Sequence, residues 1–514
     1  MVAASSNGLI CFTNCLLCQE DGSLAEKDLW VDETQGLILD AQKTFYIRRQ
    51  RPDRIIDLEG NILSPGFLDI QLNGAYNFDF SVYEGDEEAY RQGLQMVAER
   101  IVETGVTSLL PTIITQEKSV YPKLLSLLKP FSTPTSATLL GWHAEGPFID
   151  LTKRGAHAPA YLLSASSGFR SFEEVYGPEN LVDAEDWMMS ADQGPAVRLI
   201  TAAPEVPGVM EALGELNKRG IAFSIGHSVA SSEVATKAVQ HGARLITHLF
   251  NAMPQLHHRD PSIIGLLGAS PHLYSPIAIT THLPCNIQEP LSFLESSSPL
   301  NGSHNSSPKG SHSPAPSEAF EAIPSRKGTL SSGAITPLNL SNKKKSRPSL
   351  HLEKGQIADM AFERPYYGLI VDGIHCHPNS VRLAYSSHPE GCILITDAMK
   401  ILDPNLQDGV HEWRGARKLV KEGDRLYLEG TTTLAGSVVT LDKCVRNFSS
   451  FTGCSLGEAI KCATYNPAKC LGIENKKGTL RPGVHADLVV LDKQGVVLST
   501  WVRGKQTWPK KAAA

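Results

Sequence analysis

IAFSIGHSVASSEVATKAVQHGARLITH, residues 221–248, is the clearest strand–helix–strand unit in the chain. An apolar run over 221–226 stops at His227. Ser231 suits a helix N-cap, its hydroxyl accepting from a free N–H of the first turn. Glu233 lies in that turn, where a negative charge complements the helix dipole. Val234, Ala235, Ala238 and Val239 make one apolar face, and Gly242 closes the helix. A second strand over 244–247 then stops at His248. Strand, helix and strand at minimal length predict a βαβ unit, with parallel neighbours ending on one rim.

The alternation extends outward from this unit. Residues 67–72 and 106–110 read as strands, and 86–103 as a helix ending before Gly105. Strands resume at 367–371 and 393–395. Repetition over so long a stretch predicts a (β/α)8 barrel spanning 66–475, with an open doubly wound sheet as the alternative. Both chain ends are β-rich and short in helix signals. Residues 1–65 and 476–514 are expected to pair into one small β-sandwich domain, with a closing hairpin over 499–503 and 504–507. Residues 295–349 are dense in Ser, Pro, Asn and Gly and read as a disordered insertion within the barrel. Residues 411–428 read as a charged hairpin.

Composition excludes some classes. Net charge is −6 and the pI about 6.3, so neither nucleic acid nor a membrane surface is an expected partner. The one basic run, Lys343 to Lys345, sits in a Ser/Pro tract and reads as solvated linker. No apolar run approaches the ~20 residues that span a bilayer. No secretory leader is expected from the N-terminal residues. The ten cysteines lack framework spacing, and Cys15 and Cys18 form a lone Cys-x-x-Cys. A cytoplasmic protein with reduced thiols is the expectation.

Four apolar runs stop at residues with a chemistry. The run 138–142 leads into His143-Ala144-Glu145; the others stop at His227, His248 and Asp397. Two His and a Glu form a ligand set for a catalytic metal that keeps one position open for water. Asp397 is then free to move protons, or else to cap a following helix. His375, in Asp372-Gly373-Ile374-His375, also ends a strand candidate and suits substrate binding. Arg259 lies in a loop after Asn251-Ala252-Met253-Pro254, and an arginine at a barrel mouth suits a phosphate or carboxylate.

At these residues the chain resembles the amidohydrolase superfamily, and within it the N-acetylglucosamine-6-phosphate deacetylase family. The likeness runs through Ser64 to Gly74, His143 to Phe148, Lys153 to His157, Gly226-His227-Ser228 and Thr247 to Pro254. It resumes at Asp372 to His375, Thr396-Asp397-Ala398, Thr433 to Ser437, and 463–488. The superfamily carries a His-x-His pair on its first strand for a second metal; here Gln71-x-Asn73 stands there. The resemblance therefore implies one divalent metal per subunit, zinc first, with iron, cobalt or manganese as alternatives, held by Glu145, His227 and His248. It implies Asp397 as general base and then acid. Ala156, His157, Asn251, Ala252, Arg259, His375, Leu434, Ala435 and Gly436 are implied to contact an amino-sugar phosphate. The residues around Arg259 match less well. The implied reaction releases acetate from N-acetyl-D-glucosamine 6-phosphate in amino-sugar catabolism, in a homodimer in which Arg259 reaches the partner's phosphate or its own. A D-aminoacylase, a cyclic-amide hydrolase and a non-catalytic barrel scaffold are the other readings.

Overall fold

The computed structural model describes residues 7–128, 133–182, 197–270, 362–413, 417–431 and 434–509. The expected insertion, 295–349, lies outside them. A ring of parallel strands forms the centre: β1 Phe67–Leu72, β2 Val106–Ile114, β3 Trp142–Glu145, β4 Val197–Ala202, β5 Ala222–Ile225, β6 Ala243–Ile246, β7 Tyr366–Ile370 and β8 Cys392–Ile395. Each pairs in parallel with the next. The ring closes between β1 and β8: Asp397 N–H donates to the Gln71 carbonyl at 2.9 Å, and Asn73 N–H to the Ala398 carbonyl at 2.8 Å. This is the predicted barrel. All residues of β1 to β5 and of β8 are buried, so these strands read as continuous apolar runs rather than as alternation.

The strand–helix–strand unit of residues 221–248 folds as its pattern requires. β5 and β6 flank the helix Ser232–Gln240, whose N-cap Ser231 accepts from Val234 N–H. Glu233 pairs with Lys237 at 2.7 Å one turn on. Gly242 takes φ +109°, a value only glycine adopts readily. One strand differs from its prediction. β2 does not stop at Leu110 but runs through Pro111 to Ile114. A register shift between Leu109 and Pro111 accommodates the residue that has no N–H to give.

The chain ends form two further sheets. One holds Leu37–Leu39, Leu29–Asp32, Leu9–Thr13 and Arg54–Asp57 in that order. The other runs Lys505–Trp508, Val497–Val502, Leu488–Leu491, Ile62–Pro65, Leu16–Cys18 and Leu24–Glu26. Ile10, Phe12, Leu63, Leu488 and Trp501 share their core, so residues from both ends bury one another. The closing hairpin turns at Arg503 and Gly504, both at positive φ, as a tight two-residue turn demands. The sequence offered no helix in this part, yet Lys43–Ile47 makes one short π-helical turn.

Residues after β8 leave the barrel as a three-stranded antiparallel sheet, Gly409–Glu412, Lys418–Glu422 and Arg425–Leu428, one strand more than the expected hairpin. Trp413, Leu419 and Leu426 pack with Met399, Ile401 and Ala435, and partly buried Ala156 joins them. The apolar face, hidden among charged residues in the sequence, seats this sheet. Among the described residues no helix is long and apolar enough to cross a membrane.

Near the barrel, Lys477 and Asp487 form a buried ion pair, and Lys477 also donates to Thr138 Oγ1 at 3.2 Å. His485 is buried close to them. Burial, then the Lys477 charge, push its imidazole down to about 3. Unfolded, it titrates near 6.5, so between those values the unfolded chain binds the extra proton. Its contribution is complete above pH 6.5 and is lost as pH falls toward 3. Urea unfolding at pH 7.5 and 4.5 should show H485Q losing about 3 kcal/mol less on acidification than the wild type, at 1.36 kcal/mol per pH unit. Equal losses in both would refute this.

Candidate metal centre and active site

Three site residues sit at the same offset from their strands. His227, His248 and Asp397 each come second after the last strand residue, Ile225, Ile246 and Ile395. All three are left-handed, with φ of +49°, +25° and +47°. Such backbone costs roughly 1–3 kcal/mol per non-glycine residue and persists only where surroundings enforce it. Phe250 and Ala252, in the loop after β6, are also left-handed. The turns point the side chains over the barrel mouth, where the last residue of β3, Glu145, meets them.

One Glu145 carboxylate oxygen, Oε1, lies 3.0 Å from His227 Nε2 and 3.2 Å from His248 Nε2. The two imidazole nitrogens are 3.0 Å apart. All three side chains are buried, and their ligand atoms lie within 4.8 Å of one another. His227 Nδ1 faces the Lys153 carbonyl at 2.8 Å, so it carries the proton and Nε2 presents a lone pair. Lone pairs from two imidazoles and a carboxylate thus converge on one point, and a divalent cation fits that donor set. Burial opposes charge on Glu145, but the neighbouring His227 and His248 outweigh it and hold the carboxyl well below its usual range.

Asp397 joins this group through two carboxamides. Gln71 Nε2 donates to Glu145 Oε1 at 3.3 Å and to Asp397 Oδ1 at 3.2 Å. Asn73 Nδ2 donates to the same Oδ1 at 2.7 Å. The pair that the sequence marked only as missing histidines therefore supplies neutral donors that bind and orient the two acids. Burial, and then the Glu145 charge, push the Asp397 carboxyl up. No helix follows Asp397, so the capping role is not taken up.

A layer below lies His143, two residues before Glu145 on β3. Its Nε2 meets Thr201 Oγ1 at 2.8 Å, which meets Thr247 Oγ1 at 2.7 Å, which meets Ser224 Oγ at 2.5 Å. Burial pushes His143 down to about 4, so it stays neutral. Gly226 makes room here: a Cβ would come within 2.7 Å of both Thr201 and Thr247.

Around the mouth, His157 stacks edge-on against His227 with ring centroids 4.5 Å apart. Thr115 N–H donates to His157 Nδ1 at 3.3 Å, which leaves the neutral ring's proton on Nε2. His375 Nδ1 meets Asp372 Oδ2 at 2.6 Å, while Asp372 Oδ1 accepts the N–H of Ile374 and of His375, each at 2.8 Å. Asn251 reaches Cys376 Sγ at 3.8 Å, linking the loops after β6 and β7. The Ala252 carbonyl accepts Ser228 N–H at 3.2 Å, linking those after β5 and β6. Ala156 and Ala435 share the apolar cluster of the three-stranded sheet. Leu434 bridges to Tyr427 and stays 38% exposed. Gly436 has φ +77° and passes so close to Met399 that a Cβ would lie 2.6 Å from its Cγ.

Arg259 stands apart. It is exposed, and among the described residues nothing ties its guanidinium to the ligand set. Sequence reasoning missed Thr115, Lys153 and Asp372 as partners. Only Asp372 left a readable signal, an acid three residues before a histidine; the Lys153 contact is made by backbone.

Comparison with known proteins follows the same line. The amidohydrolase family profile matches residues 339–507. The N-acetylglucosamine-6-phosphate deacetylase of Danio rerio is 35% identical over 502 residues, covering 97% of this chain and 96% of its own. The protein of that name from Homo sapiens is 34% identical over 504 residues, covering 98% and 96%. A crystal structure of N-acetylglucosamine-6-phosphate deacetylase from Pasteurella multocida superposes with a TM-score of 0.64 at 22% identity, over 97% of this chain and 99% of that one. At that identity the likeness is one of fold.

Proposed function

The chain belongs to the N-acetylglucosamine-6-phosphate deacetylases of the amidohydrolase family, and from that membership we propose that it hydrolyses N-acetyl-D-glucosamine 6-phosphate to D-glucosamine 6-phosphate and acetate. The observation that supports this most is the convergence of Glu145, His227 and His248 on one point, with Asp397 joined to it through Gln71.

Glu145, His227 and His248 would hold one divalent cation, zinc suiting two imidazoles and a carboxylate best. Bound there, it supplies Lewis acidity that polarises the acetamide carbonyl and acidifies water. Asp397 moves the protons. Its Oδ1 is held by Gln71 and Asn73, which leaves Oδ2 to accept a proton from the attacking water. The same oxygen then gives that proton to the departing sugar nitrogen, so water and amide become acetate and amine. A carboxyl pushed up by burial and by Glu145 suits both halves of that exchange. His157, with its proton on Nε2, donates to the carbonyl oxygen as negative charge builds. His375, oriented by Asp372, and the Asn251–Ala252 and Leu434, Ala435 and Gly436 segments line the sugar-phosphate side.

Arg259 is assigned to the phosphate of its own or a partner's substrate, in a homodimer; its exposure leaves it free to reach either. A cytoplasmic location accompanies this reading. The test is acetate release with metal quantified in the same sample. N-Acetylglucosamine 6-phosphate should turn over at least about 100-fold faster than unphosphorylated N-acetylglucosamine or N-acyl amino acids, because only it offers the phosphate to which Arg259 is assigned. Preference for an N-acyl amino acid or a cyclic amide would replace this reading with another amidohydrolase activity. Absence of both metal and turnover, unrepaired by added metal, would favour a scaffold.

A further inference from the structure

We infer that Asp69, on β1 below the metal centre, is a positioning residue that sets the turn carrying Asp397 and acts through Thr396. The inference rests on the deacetylase reading of Asp397. Asp69 is 1% exposed, and no cation among the described residues neutralises it. Every hydrogen bond found for its carboxylate comes from the two segments that hold the active-site acid. Oδ1 accepts Gln71 N–H at 3.2 Å and Thr396 N–H at 3.4 Å; Oδ2 meets the Thr396 hydroxyl at 2.6 Å.

Thr396 connects Asp69 to the turn. It follows the last residue of β8 and precedes Asp397, whose φ of +47° is unfavourable for a side chain with a Cβ. Its Oγ1 accepts Ala398 N–H at 3.3 Å, so one hydroxyl ties together the residues on either side of Asp397. Its carbonyl accepts the Ser437 hydroxyl at 2.5 Å, and Ser437 N–H donates to the Asp397 carbonyl at 3.2 Å. The turn is gripped on one side by Ser437 and on the other by Asp69.

Burial pushes the Asp69 carboxyl up to about 7, and the contact serves in both protonation states. Ionised, Asp69 only accepts, so the Thr396 proton points to it and an oxygen lone pair meets Ala398 N–H. Protonated, Asp69 donates to Thr396 Oγ1, whose own proton then has the Gln71 carbonyl at 3.4 Å. A buried acid without a cation is costly, and apolar packing would stabilise the barrel equally well. Its placement is explained by what it holds: Gln71 and Asp397, the two ends of one hydrogen bond at the active site.

T396V removes the hydroxyl at nearly constant volume. Its kcat should fall about 10- to 100-fold, the effect of a small misplacement of a reacting group, with KM within twofold and bound metal unchanged. T396S should recover most of the loss. D69A, which removes the carboxylate that holds Gln71 N–H, Thr396 N–H and the Thr396 hydroxyl, should lose a similar factor, and D69A/T396V no more than the worse single variant. Unchanged kcat in T396V, equal loss of metal, or losses that multiply in the double variant would overturn the inference. Should T396V not fold, T396A is read in the same way. An inactive wild type counts instead against the deacetylase reading. A crystal structure decides in that event too: Asp397 Oδ1 should leave Gln71 and Asn73 in T396V, and retained contacts would refute the role of Asp69.

Discussion

Asp397→Asn should lose about 10³- to 10⁴-fold in kcat while keeping its metal, because one group is asked both to take and to return the proton. That factor corresponds to about 4–5.5 kcal/mol of barrel-mouth chemistry at 1.36 kcal/mol per tenfold. The replacement fits the site. An Asn carbonyl oxygen in the place of Oδ1 still accepts from Gln71 and Asn73, so the turn and the ligands beneath it should stay in place. Steady-state acetate release and metal analysis on the same preparation read both halves. Activity within tenfold of wild type would remove Asp397 from the proton path. Loss of metal together with activity would make it a ligand instead.

His248→Ala should do the opposite. It removes one of three converging ligand atoms, and metal affinity should fall by at least about 100-fold, since even outer-sphere losses cost about 10- to 100-fold. Turnover should follow the bound metal and return in part when excess metal is added. Competition with a chelator of known affinity measures the first, and activity against free metal the second. Full metal occupancy in H248A would show that Glu145 and His227 suffice or that the cation sits elsewhere. The two variants together separate holding the metal from moving the proton, which a single loss of activity would not.

Much of this site could be read from residue order because barrel strands announce their ends. β5, β6 and β8 are wholly or largely buried, so each is an apolar run that stops where the mouth begins. A charged or imidazole residue placed just past such a run has few other places to go. The chain ends carry short strands that share one core. The pattern misleads at β2, which runs past Leu110 through Pro111 at a register shift, and at the sheet after β8, where charged residues concealed an apolar face.

Residue order alone yields the barrel, the ligand candidates and the acid beside them, because local patterning fixes strands and strands fix a rim. The contacts of Gln71, Asn73, Asp69 and Thr115 come from the fold instead. Gln71 reaches Asp397 across 326 positions of chain, and Thr396 reaches Asp69 across 327. Those contacts exist only because the first and last strands meet where the ring closes. A carboxamide or a buried acid carries no periodic signal; its role is set by the group that the closure brings opposite it.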